Sequence, residues 1–263
     1  MKKILVLVFA AAILAAPRAQ AQDSMMFNHM ALGATIGIDG FGIDAVMPVG
    51  EKFQLRAGYA IDPIVVNTKL DLGSFSAQGK TVNLNGIPLK AQNWKSGTGH
   101  LMADFYPNKG GLHISLGMFV NNGKLLSASA NLTSVLSRED WGTLSVGPEG
   151  GFKVSTDKEG MLNFDVKNWV VMPYLGFGFG RALNPEKTFG FVFDMGLMVW
   201  GSLQIQSYDY TDNSFNSAKP VKTVTIDAKS VESFSSQAAT IVDAVASLPV
   251  APYLRFGFYF KLF

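Results

Sequence analysis

The sequence predicts an all-β fold, a closed antiparallel transmembrane β-barrel of eight strands, and three observations predict it. The first is the segment ending the chain. Leu254, Phe256, Phe258, Phe260 and Leu262 alternate with Arg255, Gly257, Tyr259 and Lys261, and Phe263 follows. Strand side chains alternate faces, so one face is aromatic and uncharged and needs either a second protein layer or lipid. The second is the leader: Met1-Lys2-Lys3, an apolar run from Ile4 to Leu14, and the small-x-small pair Ala19 and Ala21 before Gln22. That pattern reads as a signal peptide over 1–21, cleaved before Gln22, with one domain over 22–263. The third is that no later segment has the ~20 consecutive apolar residues of a spanning helix. With no helical span, only a closed barrel can cross a bilayer.

Composition narrows the function classes. There are 27 Gly and 20 Phe, no Cys, and 16% charged residues. The missing cysteine removes a disulfide framework and a lipid-modified N-terminal Cys. Of the 22 basic residues three lie in the leader, leaving nineteen against 20 acidic ones. A nucleic-acid partner has no electrostatic footprint here.

Eight period-two segments follow. Met30 to Ile38 and Phe41 to Met47 flank Asp39-Gly40, a hairpin signal that predicts a type I′ turn placing Ile38 opposite Phe41. Leu32, Ala34 and Ile36 then share a face with Phe41, Ile43, Ala45 and Met47. The third strand shows Phe53, Leu55, Ala57, Tyr59 and Ile61, the fourth Leu101, Ala103 and Phe105, and the fifth Leu112 to Val120 by twos. The sixth runs through Val171, Pro173, Leu175, Phe177 and Phe179. The seventh runs from Phe189 to Val199, and the C-terminal strand is the eighth. A soluble sandwich also alternates, but its outward face is polar; here the long uniform face is the apolar one.

Connections alternate short and long. Pro48-Val49-Gly50, Pro107 to Gly111 and Leu183 to Lys187 are short, whereas 62–96, 122–167 and 201–249 are long. Outer-membrane barrels have an even strand number, short periplasmic turns and long outer loops. The expected location is therefore the outer membrane of a Gram-negative cell, with both termini periplasmic. Trp94, Trp169 and Trp200 fall at outer strand ends, where an aromatic girdle is expected. A hairpin near Val221 to Asp227 would raise the strand count to ten.

By parity Asp44, Arg56, His100, Asp104, His113, Asp194 and Arg255 face the lumen, with Lys261 at its end. If Met47 pairs with Phe53, Asp44 lies opposite Arg56; if Phe105 pairs with Leu112, Asp104 lies opposite His113. Eight strands enclose an interior that side chains fill, so these charges are expected to neutralise one another. The sharper reading is that they line a narrow solute path. No metal, cofactor or catalytic site is expected. Ser96, His100 and Asp104 share parity but spread over roughly 25 Å of strand, too far for a triad. Gly176-Phe-Gly-Phe-Gly180 is a strand with small inward residues. Over 230–247, Val231, Phe234, Ala238, Ile241 and Val245 recur at helical spacing, with Ser230 as N-cap and Pro249 beyond, predicting one amphipathic helix before the last strand.

Pro173-Tyr-Leu-Gly-Phe-Gly-Phe-Gly180, Gly190-Phe-Val-Phe-Asp-Met-Gly196 and Pro252-Tyr-Leu-Arg-Phe-Gly-Phe-Tyr-Phe260 resemble small Gram-negative outer-membrane barrels, including the carbapenem-associated, ornithine-uptake porin family. The likeness covers the strands and fails in the long loops. It implies an eight-stranded outer-membrane barrel with slow or selective passage of small, amino-acid-like solutes, and carries over no substrate-binding residue. Two functions follow: a filled barrel acting through its outer loops, and a narrow porin for small hydrophilic solutes. The expected partners are outer-membrane lipid and, during biogenesis, the barrel-assembly machinery and periplasmic chaperones. The loops reveal no partner.

Overall fold

The alternation closes on itself. The computed structural model describes residues 27–63, 65–70, 74–77, 80–83, 86–92, 97–108, 110–134, 145–146, 152–153, 156–184, 186–209, 219–225 and 249–263. In chain order the strands are β1 (Ala31–Gly37), β2 (Gly40–Pro48), β3 (Phe53–Ile61), β4 (Val65–Leu70), β5 (Ser74–Ala77), β6 (Lys80–Asn83), β7 (Ile87–Gln92), β8 (Thr98–Phe105) and β9 (His113–Val120). Then follow β10 (Lys124–Asn131), β11 (Ser145–Val146), β12 (Phe152–Lys153), β13 (Met161–Lys167), β14 (Val171–Arg181), β15 (Phe189–Val199), β16 (Gln204–Asp209), β17 (Lys219–Thr225) and β18 (Val250–Lys261). A closed antiparallel barrel runs β1-β18-β15-β14-β9-β8-β3-β2. These are the eight predicted strands.

The barrel is inverted relative to a soluble one. Outward residues are large and exposed, with Phe189, Ile43 and Phe258 at 72%, 69% and 65%. Apart from Arg181 at the end of β14, no outward strand position carries a charge. From Phe189 to Val199 the outward series of β15 covers about 33 Å of strand, or about 25 Å along the axis at a typical tilt of ~40°. That matches the ~25 Å apolar band of a spanning barrel.

Three registers differ from expectation. The first turn is Ile38-Asp39, and Ile36 rather than Ile38 lies opposite Phe41. Only Gly40 has positive φ, +95°, so the turn lacks the two left-handed residues of type I′. A Cβ on Gly40 would lie 2.1 Å from the Ile61 carbonyl oxygen, so glycine is required there. The two-residue slip keeps every face and changes every partner. β2 and β3 pair through Met47↔Leu55 and Asp44↔Gly58, placing Arg56 opposite Val46. β8 and β9 likewise pair Asp104 with Ser115 and Phe105 with Ile114.

The long connections are more than loops. A second sheet runs β17-β16-β13-β10-β7-β4, in which β16, β13, β10, β7 and β4 follow the order of their chain neighbours β15, β14, β9, β8 and β3, and β17 pairs beside β16. The segment near Val221 therefore joins this outer sheet and leaves the barrel at eight strands. β5–β6 and β11–β12 are separate hairpins. β1 and β2 have no continuation, because the Ile38-Asp39 turn ends them. The signal peptide, Trp94, Ser96 and the 230–247 helix lie outside the described residues. β18 pairs with β1 without a bulge from Gly37↔Arg255 to Ala31↔Lys261, so Phe263 simply lies past the strand and both Leu262 and Phe263 are exposed.

The β9–β14 ladder crosses the rim unbroken. Val120↔Val171 is followed by hydrogen bonds from Asn121 N to Val170 O (3.0 Å) and Asn168 N to Gly123 O (3.2 Å), then by Lys124↔Lys167. Along β14 and β13 parity is kept, so the outward face changes from Val171 to Trp169, Lys167 and Asp165, while on β10 a bulge between Lys124 and Leu126 moves the outward series to Ser127 and Ser129. Above the rim the outward row is Ser127, Ser129, Asn163, Asp165 and Gln206, while the inward row is Ala91, Ala128, Ala130, Leu162 and Phe164. Polarity thus inverts across one strand turnover.

Candidate functional site

All seven ionisable residues predicted for the lumen are buried inside the barrel, and they form two arginine-centred groups. Arg56, from β3, sits between two carboxylates. Its Nε and Nη1 lie 2.6 Å from Asp104 Oδ2 and Asp194 Oδ2, and its Nη2 donates to Asp104 Oδ1 at 2.8 Å and Asp194 Oδ1 at 3.0 Å. A planar fork facing two carboxylates is the arrangement arginine holds best. Ser115 Oγ donates to Asp104 Oδ1 at 2.7 Å. His113 places Nε2 2.9 Å from Asp194 Oδ1 and Nδ1 3.1 Å from Gly111 O. Both of its ring nitrogens face acceptors, a carboxylate on one side and a backbone carbonyl on the other.

Arg255 centres the second group. Its Nη2 donates to Asp44 Oδ1 and Thr35 Oγ1, both at 2.7 Å. Its Nη1 lies 2.8 Å from His100 Nε2, which a guanidinium can only approach as a donor. Tyr259 Oη donates to Asp44 Oδ2 at 2.9 Å. Gly58 makes the room: a Cβ there would lie 2.2 Å from Asp44 Oδ1 and 2.7 Å from His100 Cε1. Asp194 and Arg255 are cross-strand neighbours, so the groups abut. Two arginines thus face three carboxylates, with His113 beside Asp194 and His100 beside Asp44. Lys261 stays at the strand end, outside the network.

Packed layers flank the charges. Toward the long-connection end, Met102, Phe119, Met172, Tyr174 and Tyr253 form a buried cluster against Met198 and Trp200. Phe119 stacks 4.7 Å from Tyr253 and 5.6 Å, edge-on, from Tyr174. Toward the short-turn end, Ala182 and Leu183 fold into the mouth beside Ala31, Val46, Val192 and Tyr259. Gln54 holds that turn, with Nε2 donating to Leu183 O at 2.5 Å and Oε1 accepting from Leu183 N at 3.3 Å. Arg181 lies 4.5 Å over the Tyr106 ring.

Parity found the charges and sets Gln54 and Ser115 on the same inward face, but only the structure shows that Thr35, Gln54, Ser115 and Tyr259 bond to the network and the Leu183 turn. Asp104, His113 and Asp194 offer three ligand atoms within 4.8 Å of one another, a set that could suit a cation. Both carboxylates already bind Arg56, so the guanidinium occupies the cation's place.

A third polar group sits on the outer sheet. Lys124 Nζ lies 2.5 Å from Asp165 Oδ2, Ser127 Oγ donates to Asp165 Oδ1 at 2.7 Å, and Tyr208 Oη donates to Asp165. Burial pushes the Asp165 carboxyl up, but bonds from Lys124, Tyr208 and Ser127 outweigh it and hold it below its ordinary value. Burial lowers the Lys124 ammonium, and Asp165 raises it above its ordinary value. The Asp165 contribution is complete above the ordinary carboxylate pKa and fades as pH falls through its lowered value. That of Lys124 is complete below the ordinary ammonium pKa and fades as pH rises through its raised value. Protease protection of the outer sheet should therefore be greatest between these limits, and Asp165→Asn should remove this cluster's acid-side loss. Cleavage rates followed against pH measure both.

No family model matches the chain, and no curated protein matches it. Among solved structures it is similar to the CarO2 protein of Acinetobacter baumannii, with 16% identity over 89% of this chain and 98% of that one, TM-score 0.45. CarO of the same organism gives 17%, 91%, 99% and 0.43. A major outer membrane protein of Thermus thermophilus gives 12%, 89%, 98% and 0.46. The first two are of the carbapenem-associated kind that the strand motifs resemble. The strand count and order rest on the ladder of this chain itself.

Proposed function

We propose that this barrel spans the outer membrane of a Gram-negative cell with a closed lumen, and that it works through the outer sheet on the extracellular side. Three features support the reading: the outward belt uncharged but for Arg181 at its edge, the inversion of polarity at the rim, and the short turns gathered at the end where β1 begins and β18 finishes. That end is periplasmic in this reading, and Trp169, 51% exposed at the inversion, sits at the outer lipid–water boundary. Barrel-assembly machinery and periplasmic chaperones are the biogenesis partners such a chain needs, since its outward face is insoluble until lipid covers it.

The observation that carries closure is the unbroken stack inside: the Leu183 plug, the arginine–carboxylate layer, then the Phe119 cluster. A narrow porin needs a wet path along the axis, and each layer here is occupied by buried side chains, apolar in the two flanking layers and ion-paired in the middle one. This reading assigns no catalysis. The hydroxyl of Ser115 is committed to Asp104 and sealed between the plug and the aromatic cluster. Protein refolded into liposomes should give no swelling above lipid alone with amino-acid-sized solutes, L-ornithine included. Solute-dependent swelling would restore the porin reading.

A further inference from the structure

The outer sheet has two lateral edges, and they are built differently. At one edge β17 carries Lys219, Pro220 and Lys222, and its ladder with β16 shifts register between Ser207 and Tyr208. Proline, lysine and bulges are the devices that blunt an exposed edge. At the other edge β4, Val-Val-Asn-Thr-Lys-Leu, has no proline and pairs with β7 in unbroken register from Val65↔Gln92 to Leu70↔Ile87. No strand other than β7 pairs with it among the described residues. The side chains from Val65 to Lys69 are all exposed, including Val66 on the inward side. This edge exists because β1 and β2 stop at Ile38-Asp39, so among the described residues no barrel strand continues beside β4.

We infer that the free edge of β4 accepts an extended segment of a partner protein as a seventh strand, with acidic side chains outward and apolar ones inward. The backbone groups facing away from β7 supply the ladder, as in other strand additions. The side chains supply the selectivity. Lys69 and Lys90 are both exposed on the outward face, where Asn67 pairs with Lys90. Val66 and Ala91 form the adjoining inward row. A second copy of this chain does not fit. Two barrels in one membrane share their direction, so their β4 strands point the same way, whereas an edge meets its identical copy in a ladder only antiparallel.

The inference rests on the outer sheet being the working surface, and its test is independent of the swelling assay, which reads the lumen alone. The probe is a blocked, fluorescein-labelled heptapeptide of alternating Glu and Val, titrated into the refolded full chain in detergent micelles and followed by anisotropy. Saturable binding is expected. Lys69→Glu with Lys90→Glu should weaken it by about tenfold or more and reverse the preference toward a Lys–Val peptide. One of Asn67→Pro and Thr68→Pro, the one whose N–H faces away from β7, should abolish binding while keeping the heat-modifiable gel mobility of the intact barrel. Absence of binding overturns the inference, as does binding indifferent to both kinds of variant. Self-association lost in the same proline variant, with no peptide binding, overturns it in favour of a second copy.

Discussion

Arg56→Ala should destabilise the barrel by roughly 3–5 kcal/mol, the usual cost of removing one partner from a buried ion pair. The guanidinium is fully buried between Asp104 and Asp194. Alanine leaves two buried carboxylates without their cation and removes three hydrogen bonds to them. Ser115 and His113 cannot replace the fork, since Ser115 reaches only Asp104 and His113 only Asp194. The loss is read as a shift in the urea midpoint of unfolding in detergent or bilayers, followed by gel mobility and tryptophan fluorescence. A second variant separates charge from packing. Arg56→Ala with Asp104→Asn and Asp194→Asn keeps the cavity but removes the uncompensated charges, and should recover a substantial part of the loss. Equal destabilisation of both variants would mean that the side chain matters for its volume.

Leu116→Arg should cost about 2–4 kcal/mol in a bilayer, the penalty of a cation on the lipid face near the midplane. Leu116 lies in the middle of β9 and is 64% exposed, with Leu175 opposite it. In water such an exposed position tolerates arginine, so the same substitution in a soluble barrel shifts stability by ~0.5 kcal/mol or less. The sign and size of this one change therefore decide which solvent surrounds the belt. The control is Ser127→Arg, on the same side of the chain but above the polarity inversion. It should lose only the Ser127–Asp165 bond, about 1 kcal/mol, and should not depend on lipid.

The barrel was readable because its information lies along each strand. Alternation in β14, β15 and β18 fixes which side chains share a face, and a closed ladder needs little else. Neighbours across the lumen are another matter. Arg56 meets Asp194 at a separation of 138 positions, through strands β3 and β15 that never pair. Parity places both inside, but only the strand order and the stagger bring them together. The two-residue slip had a local cause: a turn with left-handed backbone at Gly40 alone takes up a different pair of residues from a type I′ turn. The outer sheet was invisible for a different reason. Its strands are short and rich in Ala, Ser and Asn, as in β10, and a register shift near Leu126 breaks their period. Serine alternating with alanine gives little hydrophobic contrast to read.

The seam between β1 and β18 has a kinetic consequence. Ala31 pairs with Lys261, and Gly37 with Arg255, so the contacts that close the cylinder join nearly the two ends of the chain. Such contacts are the most non-local a barrel can make, and their loop-closure entropy must be met before they return anything. Closure therefore requires β18 and cannot precede its pairing with both β1 and β15. A chain cut before Val250 does not give a smaller barrel. It leaves an open sheet with two raw edges, β1 and β15, a ready template for aggregation.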